Sequence, residues 1–111
     1  MDEEVRGRVT IAPLVLTTIV RQTALEQSGV ARLASTPPKM RGLLAGNAVD
    51  EGILVTVNEQ GVQVELHVVA KANSNMLKLG ETLQNDVTRA LEMMVGIPVV
   101  SVDVFIDDVV M

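Results

Sequence analysis

The sequence contains no cysteine, no tryptophan and no tyrosine, and Phe105 is its only phenylalanine. Without cysteine the chain can form no disulfide and has no thiolate for catalysis or metal binding, which fits a reducing compartment. One phenylalanine cannot build the stacking surface that binding sites for nucleobases, carbohydrates or flat cofactors usually need. We therefore expect no bound cofactor and a core of aliphatic side chains.

The sequence also lacks a hydrophobic run long enough to cross a bilayer. The longest run, IAPLVLTTIV at residues 11–20, is interrupted by proline and threonine and falls short of the roughly 20 residues that a spanning helix needs. The first residues, MDEEVRGR, are acidic, whereas a secretory signal begins with basic residues. We expect a soluble cytoplasmic protein without direct membrane insertion, which could lie near the membrane only through a partner.

Positive charge is scarce, and the net charge is -5. Residues 1–49 carry six basic and four acidic residues (+2), whereas residues 50–111 carry three basic and ten acidic residues (-7). Nucleic-acid binding depends on lysine and arginine neutralising phosphates, so this balance argues against nucleic acid as a partner. A nucleic-acid-binding domain stays open as an alternative, and it would use the basic residues Arg6, Arg8, Arg32, Lys39 and Arg41.

Periodicity predicts a first half with a strand, a helix and a second strand. Alternation in RGRVTIA predicts a strand over residues 6–12, and helical spacing predicts a helix over residues 13–27 that starts at Pro13. The sequence VARLA predicts a second strand at residues 30–34. Residues 35–51 hold two prolines and two glycines with no sustained period, which predicts a long loop. Residues 1–6 are expected to form a flexible tip.

The second half predicts a hairpin, a helix and a last strand. GILVTV and VQVELHVVAK flank NEQG, in which Gly61 would close the turn. An apolar stripe predicts a helix over residues 75–95, and valine alternation predicts a strand from Val99. The predicted fold is therefore α+β, one domain over residues 1–111 in the order β-α-β-β-β-α-β, with two helices on one face of a sheet of about five strands.

Strand alternation gives one candidate chemical site. It places Glu65, His67 and Asp103 on the polar face of two strands, and a histidine with two carboxylates can bind a divalent metal or transfer protons. Mixed polar residues are also normal on a half-exposed sheet face, and the sequence has no G-x-S-x-G or H-E-x-x-H motif. We therefore predict a non-enzymatic protein without metal or catalytic residues, and we keep a metal-binding protein or enzyme that uses these three residues as the alternative.

The same face gives one candidate interaction surface. If the helices cover the face of Val102, Val104 and Ile106, then Phe105 lies on the opposite face, where Val69 and Leu54 could be neighbours. Apolar patches on an uncovered sheet commonly mark contact surfaces. We interpret Leu54, Val69 and Phe105 as a candidate surface for protein association.

Two stretches resemble the alkaline-shock-protein family of bacterial envelope-stress and general-stress proteins. GRVTIAPLVLTTIV followed by SGVARL is similar to the opening of that family, and LQNDVTRALEMMVGIPVVSVDVFIDDV is similar to its closing signature. The closing signature is a Gln-x-x-Val helix, a glycine stop and a Val-x-Val strand, matched by Gln84, Val87, Gly96, Val102 and Val104. The resemblance covers about residues 7–110.

Two stretches depart from the family pattern: the loop with Pro37 and Pro38, and AKANSN at residues 70–75, where the family tends to have a segment with Tyr-Gly. The resemblance implies a non-enzymatic cytoplasmic protein of cell-envelope homeostasis and the general stress response, with no known catalytic residue. It also implies protein partners, such as a small membrane protein that holds some members at the membrane, and homo-oligomers formed by others.

Overall fold

The computed structural model describes residues 6–35 and 47–111. Within these two stretches, two helices and five strands follow one another. Their bounds are α1 (Pro13–Leu25), β1 (Val30–Leu33), β2 (Asn47–Asp50), β3 (Ile53–Asn58), β4 (Gly61–Lys71), α2 (Met76–Met94) and β5 (Val99–Val110).

Helix α1 begins where the sequence forces it to begin. Ala12 precedes Pro13 and has extended φ and ψ angles of -65° and 139°, because the proline ring disfavours the helical conformation in the residue before it. Pro13 itself fits the first turn, where an N–H group has no partner within the helix. The buried residues of α1 are Leu16, Thr17, Val20 and Ala24, and their spacing gives one apolar face.

Helix α2 has a side-chain cap at its start and a glycine just beyond its end. The Asn75 side chain accepts a hydrogen bond from the Lys78 backbone N–H at 3.0 Å, which satisfies one of the free donors of the first turn. At the other end Gly96 has a φ of 80°, and its N–H donates to the carbonyl groups of Leu91 and Glu92. A positive φ at this position favours glycine.

Strand β4 is the centre of a mixed sheet. Along one edge it pairs antiparallel with β3 over its first half and with β1 near its end, and β2 pairs antiparallel with β3. Along the other edge it pairs with β5 in parallel. A parallel pair needs a long crossover connection, and α2 provides it.

Gly52 allows the chain just before β3 to lie close to the chain just after β1, and we call this contact the β1–β3 junction. It lies in the turn between Asp50 and Ile53, has a φ of 72°, and its carbonyl accepts a hydrogen bond from the His67 N–H. The His67 carbonyl accepts in turn from the Ala34 N–H. A Cβ atom on Gly52 would lie 2.6 Å from the Ala34 oxygen and 2.8 Å from the His67 oxygen. No residue with a side chain fits there without moving the backbone.

One aliphatic core lies between the helices and the sheet. It joins the inner residues of both helices with alternate residues of β4, which are Val62, Val64, Leu66, Val68 and Ala70. Helix α1 packs on β1, β2 and β3, and α2 packs on α1 and β5. A Gln84 side chain donates to the Val102 carbonyl at 3.1 Å, and an ion pair joins Arg21 to Asp50. Both helices therefore cover the same sheet face.

These observations confirm the predicted α+β class, the number of strands, both helices, the central hairpin and the last strand. One predicted strand is wrong: among the described residues, 6–12 pair with no strand, and Val9 is 89% exposed. The predicted loop is partly wrong, since residues 47–50 of the predicted 35–51 form β2. Most of the predicted tip and residues 36–46 of the loop, which include Lys39 and Arg41, lie outside the described residues.

Candidate interaction surface

The sheet face opposite the helices carries the polar residues of β4 and β5. On β4 they are Gln63, Glu65, His67 and Lys71, and on β5 they are Ser101, Asp103, Asp107 and Asp108, with the apolar Phe105 among them. Both helices pack over the other, aliphatic face of the sheet, and no helix in the described part of the chain packs over this one. We call it the open face.

His67 lies at the centre of the open face between two carboxylates. Its Nε2 atom is 2.8 Å from Oε2 of Glu65, and its Nδ1 atom is 2.9 Å from Oδ2 of Asp107. The histidine is only 7% exposed, while both carboxylates reach solvent. The imidazole is thus almost fully enclosed with each nitrogen facing an acidic oxygen.

The ring of Phe105 packs against the imidazole of His67. It is the register partner of His67 across the β4–β5 pair, and the two rings stack with centroids 4.5 Å apart and planes 11° apart. The ring of Phe105 remains 43% exposed. One of its faces therefore covers the imidazole and the rest is open to solvent.

The arrangement fits a structural cluster better than a reacting site. A cationic imidazole donates to both carboxylates, whereas a neutral one has a single N–H and can donate to only one of them. In either form each ring nitrogen faces a carboxylate oxygen, so no lone pair is directed at an open position. Within the described residues, no group of three or more histidine, cysteine or acidic residues has the geometry to hold a metal ion.

The three residues of the candidate metal site do not all come together. Glu65 and His67 are in contact, as alternation predicts. Asp103 lies opposite Glu65 in the register, is exposed, and makes no hydrogen bond to His67. The second carboxylate is Asp107, which sequence reasoning missed. The register shifts between Val68 and Val69, and such a bulge changes which side chain reaches a neighbouring position.

The candidate surface residues occupy different environments. Leu54 is half-buried on the open face opposite Glu65. Val69 is only 2% exposed, and with Arg32, Asp107 and Asp108 it lines a shallow depression. Phe105 alone presents a large apolar surface, and polar residues of β4 separate it from Leu54. The structure thus places the three on one face without joining them into one patch.

The basic residues of the nucleic-acid alternative do not form a patch among the described residues. Arg32 is exposed on β1 beside Asp107 and Asp108. Arg6 and Arg8 lie in the exposed segment before α1. Two acidic neighbours at Arg32 oppose the approach of a phosphate backbone.

The outer edge of β5 is a second feature of this side of the molecule. Strand β5 is twelve residues long and pairs with β4 along one edge only, with no strand on its other edge among residues 6–35 and 47–111. Its exposed large apolar residues are Val100, Phe105, Val109 and Val110. Between this strand and α2 runs an open groove lined by Met76, Leu77, Gly80, Glu81, Gln84, Val104 and Ile106.

No helix in the described parts of the chain has the length and apolar character needed to cross a membrane.

Fold and surface together define a small α+β domain with two helices on one sheet face, an open polar face and, in the described part of the chain, a long strand β5 whose outer edge has no strand partner. The chain belongs to the alkaline shock protein family, whose described function is related to the cell envelope. The family model matches residues 1–111. The resemblance stated from the sequence is therefore confirmed over the whole chain. No curated protein and no solved structure was found to match it.

The family motif positions have structural roles. Gln84 binds the carbonyl of Val102, Val87 is fully buried in the core, and Gly96 ends α2. The closing signature of the family thus describes how α2 is fixed to β5.

Proposed function

We propose that this protein is a non-enzymatic interaction protein of the cell envelope, acting in the cytoplasm by association with copies of itself or with a protein partner. A membrane protein with a cytoplasmic segment is a suitable partner, since it would bring the domain to the envelope. The family supports the cell envelope-related role. The single observation that supports association is the presence of four exposed apolar residues on β5, a strand with one unpaired edge in the described structure.

Edge strands present unpaired N–H and C=O groups, and proteins normally protect them with short length, charge or a covering element. Strand β5 is long for an edge strand and is rich in valine. Strands of this kind commonly bind another strand, with backbone hydrogen bonds giving affinity and alternate side chains giving specificity. The enclosed His67 cluster gives no comparable support to catalysis, because both ring nitrogens already have partners.

The experiment compares two truncations of similarly exposed apolar residues. Phe105→Ala removes a ring from β5, and Leu25→Ala, at a residue 49% exposed on α1, is the matched control. We expect the wild type to associate in sedimentation or to retain a protein from its native cells, and we expect Phe105→Ala to reduce this while Leu25→Ala does not. Circular dichroism checks that both variants are folded. A wild type that stays monomeric and retains no protein contradicts the proposal.

A further inference from the structure

We infer that the free edge of β5 binds the segment Arg6–Ile11 of a second copy of this chain as an added strand. This inference rests on the proposed function and specifies one partner and one surface for it. Two observations lead to it: the edge of β5 has no strand partner in the described residues, and the segment before α1 is exposed and outside any sheet.

The side chains of β5 differ between its two faces. Towards the helices, Val104 and Ile106 border the groove beside Leu77, a residue 75% exposed. Towards the open face, β5 presents Asp103, Asp107 and Asp108. The groove is also lined by Glu81 and Gln84. A strand that adds to this edge therefore meets a mainly apolar surface on one face and negative charge on the other.

The segment before α1 has the complementary alternation. Arg6, Arg8 and Thr10 fall on one face of an extended chain, and Gly7, Val9 and Ile11 fall on the other. With Arg6 and Arg8 on the open face beside the aspartates, Val9 and Ile11 turn towards the groove between α2 and β5. A single orientation of the segment therefore places its arginines beside the aspartates and buries its apolar side chains.

The local conformation permits this pairing. Ala12 is already extended before Pro13. Gly7 has a φ of 97°, and no atom lies within 4 Å of the place where its Cβ would be, so the chain can straighten there without steric cost. Val9 and Ile11, both exposed in the single chain, would gain burial.

The layer order favours a second copy as the donor. The segment leads directly into α1, which packs on β1, β2 and β3, while α2 lies between α1 and β5. To reach its own β5 edge the segment would have to cross α2. A neighbouring copy has no such obstacle, and its donor segment and its own β5 edge are different surfaces. The contact therefore joins two different surfaces: it closes into a dimer where two copies exchange segments, and otherwise it repeats from copy to copy into a ring or a filament.

A single added strand buries less than the roughly 800 Å² per partner of a standard interface. We therefore expect reversible, concentration-dependent assembly that weakens as salt screens the exposed charges.

Charge reversal tests the pairing. The donor variant is Arg6→Asp with Arg8→Asp, and the acceptor variant is Asp103→Arg with Asp108→Arg, which leaves Asp107 free to hold His67. Each variant alone should associate about tenfold more weakly than the wild type, since it places like charges opposite each other. An equal mixture should regain assembly, because each donor then meets an acceptor of opposite sign. The control Glu26→Arg with Glu59→Arg changes exposed charges elsewhere and should assemble as the wild type does.

Each other outcome contradicts the inference in a recognisable way. If the donor variant alone assembles normally, the contact is a symmetric one between two β5 edges or involves another surface, and the proposed function survives. If both variants stay monomeric when mixed although the wild type assembles, the segment does not bind β5 of a neighbour. If the wild type is monomeric, the inference fails, and the proposed function then depends on a different protein partner. Thermal melts of all variants exclude unfolding as the cause.

Discussion

The imidazole of His67 and the phenyl ring of Phe105 stack across the β4–β5 pair, with centroids 4.5 Å apart. Because β5 runs parallel to β4, this contact links a residue of the central strand to one far along the sequence. Aromatic pairs of this kind contribute about 0.5–1.5 kcal/mol beyond the area they bury. The stack therefore holds the middle of an edge strand that has β4 as its one strand neighbour in the described structure.

The carboxylate of Asp107 should matter more to stability than that of Asp103. Asp107 has its Oδ2 atom 2.9 Å from the Nδ1 atom of His67, whereas Asp103 is exposed and contacts neither ring nitrogen. We expect Asp107→Asn to lower the free energy of unfolding by about 1 kcal/mol and Asp103→Asn to leave it nearly unchanged. Urea unfolding of both variants measures the difference. Equal values for the two would contradict the geometry around His67.

The protein as purified should contain no stoichiometric metal. Both nitrogens of His67 face carboxylate oxygens, whereas a metal ligand needs a nitrogen with a free lone pair directed at the ion. Elemental analysis of the wild type and of His67→Ala, each checked for folding, tests this prediction. Zinc or manganese at one ion per chain in the wild type, lost in the variant, would favour the metal-binding alternative.

Substitution by alanine should destabilise the protein at Gly52 and Gly61 but not at Gly80. A Cβ atom on Gly52 would collide with backbone oxygens of Ala34 and His67, and one on Gly61 would lie 2.3 Å from the Pro98 oxygen. Both glycines also have positive φ angles, so alanine there should cost about 2 kcal/mol or more.

Gly80 is the matched control, because it lies inside α2 with open space around it. Alanine there should raise stability by about 0.5–1 kcal/mol. Thermal melts of the three alanine variants rank them directly, and a Gly52→Ala protein as stable as the wild type would overturn the account of the β1–β3 junction.

Val100 and Val102, near the start of β5, should differ sharply in how well they tolerate a charged side chain. Val102 lies in the core, while Val100 is 45% exposed, because the register of β5 is irregular there and Val99 packs against the core instead. Val102→Asp places an unpaired carboxylate in an apolar site, which costs several kcal/mol against a total stability of about 5–15 kcal/mol. We expect Val102→Asp to unfold the protein and Val100→Asp to remain folded by circular dichroism. The reverse order would show that the faces of β5 are assigned incorrectly.

Elements with long, regular periods could be predicted from the sequence. The stripe that includes Leu83, Val87 and Leu91 predicts α2, and these three residues are fully buried. Alternation in β4 correctly separates Leu66 from Glu65, because a sheet with one covered face imposes a period of two.

Short elements are harder to predict, because their formation depends on partners. The alternation in residues 6–12 predicts a strand, but no strand in the described residues pairs with it. Strand β2 lies within a proline-rich and glycine-rich stretch that predicts a loop. The sequence feature that indicates β2 is Gly52, which follows Asp50 and Glu51 and ends a two-residue turn into β3.

The candidate site shows the same limit. Alternation places Glu65 and His67 together because both lie on one strand. The second carboxylate depends on how β5 is aligned against β4, and the irregular register near Val69 brings Asp107 to His67. Alternation alone puts Asp103 and Asp107 on the same face of β5 and cannot choose between them, because no sequence period encodes the register or a single bulge.

The unequal support of β4 and β5 has a consequence for local unfolding. Strand β4 is paired along both edges and covered by the helices, so its amide hydrogens can exchange with solvent only when most of the domain opens. Strand β5 has one strand neighbour in the described structure, and its first part is fixed to the core by Val102, whose carbonyl also accepts from Gln84 of α2. Its last part, residues 107–110, is exposed and lies beyond these contacts, so the outer amides there belong to the part of the molecule that opens at low free energy. The end of the binding edge can therefore fray and close again while the helices, the centre of the sheet and the first part of β5 stay folded.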